Sequence, residues 1–442
     1  MTSAPATLHL QAAEVDLPGG VNALLPHTDP SGVWVREGEG LIGLGAAASA
    51  TATGPRRFAE LAAFWESVAV AEADFGAESS VETDTTPESG ISSSGAGLLT
   101  GFVSVTFSAD SSYASHLVVP EVLIRHDDAA TTLITATGEP EPLSETLARH
   151  GLELGEVGAL PQLLPSGPAL SLPATALKPG TQSERQHLSA VSAGLSAIAQ
   201  GTVEKLVLAR DVVVSAEAPL PLGAVLARLA QAYPQTWTYR VGEVLGATPE
   251  MLVRVRGAQL SSRVLAGTIS RRDDAAGLVG DAKQHREHDL AVQSLLNGLG
   301  PLTESLQSPA DPGVLELPNV YHLVSDVSGR LAADPSGRLP GPLQVAEAAH
   351  PTAAVCGTPS AAAAQLITQL EAMDRGPYAG PVGWLDAAGN ADFGIALRGG
   401  LLEDESTIRI CAGGGIVEGS EPESELAETE IKLTPMLGAL GL

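Results

Sequence analysis

The sequence predicts an α+β fold built around antiparallel sheets. Three observations carry this: strand-like runs come in pairs joined by short turns, helices with their own start and stop signals fall between them, and a proline-rich stretch divides the chain. No repeat of 20 to 50 residues is present. In order, Val33-Trp34-Val35-Arg36 and Leu41-Ile42-Gly43-Leu44-Gly45 flank the turn Glu37-Gly38-Glu39-Gly40 and read as a hairpin. A helix is expected over 57–72, with Phe58, Leu61, Phe64, Trp65 and Val68 on one side. The Ser, Thr, Glu and Gly content of 79–97 predicts a loop, and strands resume at 101–107, at 117–119 and near Leu123 and Leu133.

Five prolines in 160–180 mark the connection between an N-terminal strand-rich half, 1–180, and a C-terminal half, 181–442. Ser183-x-x-Gln186 is a capping box opening a helix on which Leu188, Val191, Leu195 and Ile198 share a face, closed by Gly201. Over 203–214 the period is two, so Val203, Lys205, Val207 and Ala209 point one way and Leu206 and Leu208 the other. Further strands are expected at 236–244, 251–256 and 260–269, the last two joined by a turn at Gly257, and at 380–385, 391–398 and 407–412. Helices are expected at 282–299, 360–372 and 424–437.

Composition narrows the function. The chain has 442 residues, enough to bury a large core, and 3% aromatic residues, so packing rests on Leu, Val, Ile and Ala. A formal charge of −28 disfavours nucleic acid and anionic membranes as partners. Cys356 and Cys411 cannot build a disulfide framework and fit a reducing compartment. With no basic leader and no long apolar run, a cytoplasmic, soluble protein is expected.

Lysine is nearly abandoned: only Lys178, Lys205, Lys283 and Lys432 occur. Lys205 lies within an apolar strand face, where burial disfavours the ammonium and makes a general base; an edge strand facing water is the bland alternative. Glu425, Glu428 and Lys432 fall on one helix face, an arrangement that suits Mg²⁺ ligation as well as a solvated acidic helix. Glu287, beside His288 on another expected helix, supplies a further carboxylate or simply pairs with Lys283. Gly413-Gly414-Gly415 and Leu265-Ala266-Gly267-Thr268 could present amides and a hydroxyl to an anion, or be tight turns. Walker spacing, a dinucleotide fingerprint, a catalytic triad and a zinc pattern are all missing.

Taken in order, these segments resemble the chorismate-binding family, and within it the isochorismate synthases. The resemblance rests on Lys205-Leu-Val-Leu-Ala-Arg210, Ala247-Thr-Pro-Glu250, Leu265-Ala-Gly-Thr268, Glu287-His288, His322-Leu323, His350-Pro351-Thr352, Tyr378-Ala-Gly380, Ala396-Leu-Arg398, Gly413-Gly-Gly-Ile-Val417 and Glu425-x-x-Glu428-x-x-x-Lys432. It implies a large antiparallel β sandwich flanked by helices. It also implies that Lys205 deprotonates water for attack at C2 of chorismate while Glu250 protonates the departing C4 hydroxyl. Glu287 and Glu428 match Mg²⁺ ligands, with Glu425 nearby through water. Lys432, Gly413 and Gly415 would assist at the ring carboxylate, Tyr378 and Arg398 would grip the enolpyruvyl carboxylate, and Thr268 and His350 would complete the substrate site.

Two positions sort the branches. The anthranilate and aminodeoxychorismate synthases typically carry Gln at the position of Lys205, and the latter use a Lys nucleophile at the position of Ala266. Lys205 with Ala266 therefore points to water as nucleophile, with no glutamine amidotransferase subunit. The small apolar Ala354 and Val355 resemble the wall of synthases that stop at isochorismate; salicylate synthase, which adds pyruvate elimination, is the alternative. Gln284 and Gly414 depart from common family residues.

Overall fold

The computed structural model describes residues 7–75, 97–128, 130–155, 160–270, 278, 280–316 and 320–442. Two large sheets dominate it, of thirteen and ten strands, with a separate pair formed by Leu152–Gly155 and Gln162–Pro165. Within the large sheets the pairing is antiparallel except where Thr7–Val15 meets Ala69–Phe75. Both sheets draw strands from either side of residue 180. The seams are Pro30–Arg36 against Trp237–Val241 and Thr175–Pro179 against Lys205–Ala216 in the larger sheet, and Thr100–Ser104 against Pro381–Asp386 in the smaller.

Few aromatic rings are available, and those present are fitted against bare backbone between the sheets. A Cβ at Gly32 or Gly43 of the larger sheet would lie 2.2 or 2.7 Å from the ring of Phe102 in the smaller one. In return, a Cβ at Gly394 of the smaller sheet would stand 2.9 Å from the Trp34 ring. Phe102, Tyr239, Val253 and Phe393 are fully buried in this layer. The outer face of the larger sheet is covered by helices Leu222–Ala232 and Pro422–Ala439, whose Leu226, Leu229, Leu433 and Met436 pack on Val33, Leu245, Ile408 and Ile410. The architecture is the helix-flanked antiparallel sandwich that the sequence resemblance implied. No helix among the described residues is long and apolar enough to cross a membrane.

The first hairpin forms as expected, Pro30–Arg36 with Glu39–Leu44, and turns through Glu37 and Gly38, both at positive φ (56° and 91°). That two-residue left-handed turn matches the natural strand twist. The capping box also forms: Ser183 Oγ accepts from the Gln186 amide and Gln186 Oε1 accepts from the Ser183 amide at 3.0 Å.

Three expectations are corrected. The helix expected over 57–72 ends at Ser67, because the following segment, rich in helix formers, is claimed as strand Ala69–Phe75 by its partner Thr7–Val15. The proline-rich connection contains strand Thr175–Pro179 at the edge of the larger sheet, where prolines are tolerated. On helix Glu184–Ala199 the buried side is His187, Ala190, Val191 and Gly194, while Leu188, Leu195 and Ile198 are only partly covered. Gly194 explains the rotation, since a Cβ there would lie 3.1 Å from Leu206 and 3.5 Å from Leu208. The loop expected over 79–97 lies, through residue 96, outside the described residues.

Candidate active site

Strand Lys205–Ala216 builds the floor of the site. It pairs with Thr407–Ile416 so that Val207, Leu208 and Ala209 stand opposite Gly415, Gly414 and Gly413. The backbone groups of Val207 and Ala209 are turned away from this partner: Val207 N–H donates to Cys356 O at 2.9 Å, and Ala209 N–H to Glu371 Oε1 at 2.8 Å. Val207 and Ala209 thus sit in non-hydrogen-bonded pairs, which aims the N–H and C=O of Gly415 and Gly413 away from the Lys205 strand. Lys432 Nζ donates to the outward Gly413 carbonyl at 2.9 Å. The glycine run is therefore regular strand and not the tight turn that was the alternative, and its alternate glycines have amides turned outward, where an anion could accept from them.

Close approach favours glycine here, most strongly at Gly415. A Cβ at Gly415 would lie 2.3 Å from Glu287 Oε1 and 3.2 Å from Lys205 Cε; one at Gly414 would lie 3.2 Å from Glu425 Oε2 and 3.4 Å from Glu428 Oε1. Three carboxylates from two helices, Ala282–Leu299 and Pro422–Ala439, thus converge on one stretch of bare backbone. The first helix is pinned beside Glu287 by His288, whose Nδ1 meets Ala266 O at 3.1 Å and whose Nε2 meets Ser325 Oγ at 2.8 Å. Gly267, at φ 78°, opens a bulge in strand Gln259–Ser270 that lets the Gln284 carbonyl approach. Gly415→Ala is expected to displace Glu287 and cut turnover about 100-fold in a steady-state assay, the scale of a 1 Å misplacement, with the melting temperature little changed.

Two ammonium groups stand on these carboxylates. Lys205, with 0% of its side chain exposed, places Nζ 3.0 Å from Glu287 Oε1, an ion pair off ideal hydrogen-bond geometry. Lys432 bonds Glu428 Oε1 one helical turn away. Among the described residues no three acidic, His or Cys side chains already lie at metal-holding separation.

Glu250 follows strand Val244–Thr248 of the larger sheet and precedes Met251–Arg256 of the smaller, so it stands where the chain crosses between them. It is 5% exposed, and burial pushes its carboxyl up to about 8 against the opposing pull of Lys205, Arg398 and Lys432. Tyr378 and Arg398 lie on neighbouring turns, where Ala379 (φ 64°) and Arg398 (φ 49°) both occupy the left-handed region. Such strain costs about 1–3 kcal/mol per residue and marks positions held for a purpose. Burial pushes the Tyr378 phenol up, and it lowers the Arg398 guanidinium, which Tyr378, Glu428 and Glu250 support in return.

These groups gather at one cleft. Its wall includes Glu250, Glu287, Tyr378, Arg398, Gly413, Gly415, Glu428 and Lys432, with Ala266, His322, Ala354 and Val355. Lys205 stands behind Glu287, and Glu425 behind Gly414. Thr268 pairs with His322 across the sheet, and its side chain lies outside the described residues. His350 is not brought to the wall: its Nε2 donates to Phe107 O at 3.1 Å, its ring packs edge-on against Phe107, and burial lowers it to about 4. A larger cleft, about 1170 Å³, lies beside Trp65 and Leu302, but its Glu66 and Arg338 pair with each other.

Sequence reasoning missed Glu371 and Arg375. Arg375 grips Glu371 through two bonds, 2.6 and 2.9 Å, and donates to the carbonyls of Val355 (2.9 Å) and Val207 (2.8 Å). Glu371 in turn accepts the Ala209 amide. This buried pair joins the floor strand to the Val355 wall. The only signal was an i, i+4 acid–base spacing, which surface helices share.

The model of a family described as chorismate binding enzyme matches residues 33–441. The chain belongs to that family. Isochorismate synthase DhbC of Bacillus subtilis is 36% identical over 284 residues, covering 60% of this chain and 70% of its own. The salicylate biosynthesis isochorismate synthase of Pseudomonas aeruginosa is 40% identical over 292 residues, 62% of this chain and 58% of its own. The crystal structure of DhbC from Bacillus anthracis superimposes with a TM-score of 0.69 at 25% identity, over 96% of this chain and 100% of that one.

Proposed function

We propose that this chain is an isochorismate synthase that adds water at C2 of chorismate and expels the C4 hydroxyl. The observation that carries it is a carboxyl held protonated at neutral pH, Glu250, in the same cleft region as a buried amine, Lys205. Neutral water is a poor nucleophile and hydroxide a poor leaving group, so both a base and an acid are needed. Lys205 takes a proton from the attacking water as the C2–O bond forms. Glu250 gives a proton to the C4 oxygen as that bond breaks. One hydroxyl is gained and one lost, so substrate and product are isomers, and return of one proton from Lys205 to Glu250 resets the site.

The substrate carries two carboxylates, and the cleft has a cationic grip for each. Arg398 with Tyr378 suits the enolpyruvyl carboxylate; Lys432 with the outward amides of Gly413 and Gly415 suits the ring carboxylate. The balance of charge supports a divalent cation. Once Glu250 is protonated, Lys432 and Arg398 do not offset Glu287, Glu425 and Glu428, and a bound dianion adds two negative charges, so further positive charge is needed. The donors fit Mg²⁺ in kind, being oxygens gathered over bare backbone at Gly414 and Gly415. Glu287 and Glu428, with Glu425, would hold it, and when bound it supplies positive charge to the ring carboxylate.

Ala266 lines the wall and offers no nucleophile, and water as co-substrate calls for no ammonia-supplying subunit. Glu428→Gln is expected to abolish chorismate turnover without unfolding the protein, as is EDTA with wild type. Full activity in either would remove the metal from the account. Chromatography of the product separates isochorismate from salicylate plus pyruvate, which the alternative reading requires.

A further inference from the structure

We propose that the divalent cation loads by displacing Lys205 and Lys432 from its own ligands, and that this exchange uncovers the base. The inference rests on the reading above of Glu287 and Glu428 as metal ligands and Lys205 as base. Each of those carboxylates has an ammonium on it, Lys205 at 3.0 Å from Glu287 Oε1 and Lys432 on Glu428 Oε1. Permanent ion pairs there would deny the cation its ligands.

Geometry also sets the consequence. Glu287 forms part of the cleft wall and Lys205 does not, and the Lys205 ammonium, with none of its side chain exposed, rests 3.0 Å from the Glu287 carboxylate. In this state the base has no access to the water it must deprotonate. Moving Glu287 off Nζ is the smallest change that gives it access. Lys432 differs in keeping a second anchor, the Gly413 carbonyl at 2.9 Å, so losing Glu428 leaves it in place with its charge available to a substrate carboxylate.

Within the site, the divalent ion is the stronger partner for the carboxylate. A divalent ion at about 2.1 Å attracts a carboxylate oxygen roughly three times as strongly as the single charge at 3.0 Å from Glu287. Glu287 and Glu428 line the same cleft, and the missing side chains at Gly415 and Gly414 leave room beside each of them. Metal binding and exposure of Lys205 are then one event, and the exposed ammonium passes its proton to solvent water to become the base.

The scarcity of lysine makes this measurable in the full chain. Labelling lysine Cε with heavy carbon gives four signals, assigned by single Lys→Arg variants. On titration with Mg²⁺ and no substrate, the Lys205 and Lys432 signals should move together and saturate with the affinity found by calorimetry, while Lys178 stays still. Lys432→Met should bind Mg²⁺ about fivefold more tightly than wild type, the loss of a competitor of ordinary ion-pair strength, and Lys432→Arg should stay within about twofold. Unmoved lysine signals and an unchanged Lys432→Met affinity, with binding lost in Glu428→Gln, would overturn the displacement and leave the metal site standing. Wild-type affinity in Glu428→Gln would overturn both.

Discussion

Lys205→Gln is expected to lower kcat for isochorismate formation by about 10²–10⁴-fold, the usual contribution of a positioned general base. Glutamine is shorter, uncharged at every pH and unable to accept a proton from water. The fold should survive, since Lys205 is flanked by Val203, Leu206 and Leu208, whose burial does not depend on it. Loss of the ammonium also leaves Glu287 without its partner, so Mg²⁺ binding should be retained or tightened. Circular dichroism and calorimetry on the variant separate a missing base from a damaged site. Unchanged isochorismate formation would count decisively against the assignment.

Glu250→Gln should have an effect of similar size, about 10²–10⁴-fold on kcat, because an amide holds the same space and gives up no proton. Its pH behaviour is the more specific signature. The folded protein holds the Glu250 proton to about 8, above the ordinary value of 4.5, because burial penalises the carboxylate. The acid is therefore armed through neutral pH, and kcat/KM should fall as pH rises past about 8. Linkage has the same sign. The proton is bound more tightly by the folded than by the unfolded chain, so its contribution to stability is complete below pH 4.5 and lost as pH climbs through about 8. Glu250→Gln should lack that loss, and urea unfolding of both proteins between pH 5 and 9 measures it.

Much of the site was legible because its chemistry is concentrated in rare residue types or fixed spacings. Lys205 stood out by composition, and Glu425, Glu428 and Lys432 by helical period. What remained hidden depends on contacts between distant segments. Nothing local shows that Arg375 reaches Val355 and Val207. The strand fate of Ala69–Phe75 depends on a partner some sixty residues earlier, Thr7–Val15, and residue propensity argued the other way. His350 carried a family motif, yet its ring is turned to Phe107, a direction no sequence pattern encodes. The glycine run could be an anion site or a tight turn on sequence alone, because glycine suits both; here it is regular strand approached closely by Glu287, Glu425 and Glu428.

The central claim is that solvent water, activated by Lys205, becomes the C2 hydroxyl of the product. Incubating the protein with chorismate and Mg²⁺ in heavy-oxygen water, then weighing the product by mass spectrometry, tests it directly. Isochorismate carrying one heavy oxygen at C2 is the result expected, with a light product when the reaction runs in ordinary water. Isochorismate without the label would mean that the C4 hydroxyl migrates within the substrate, and would contradict both the base and the acid assigned here.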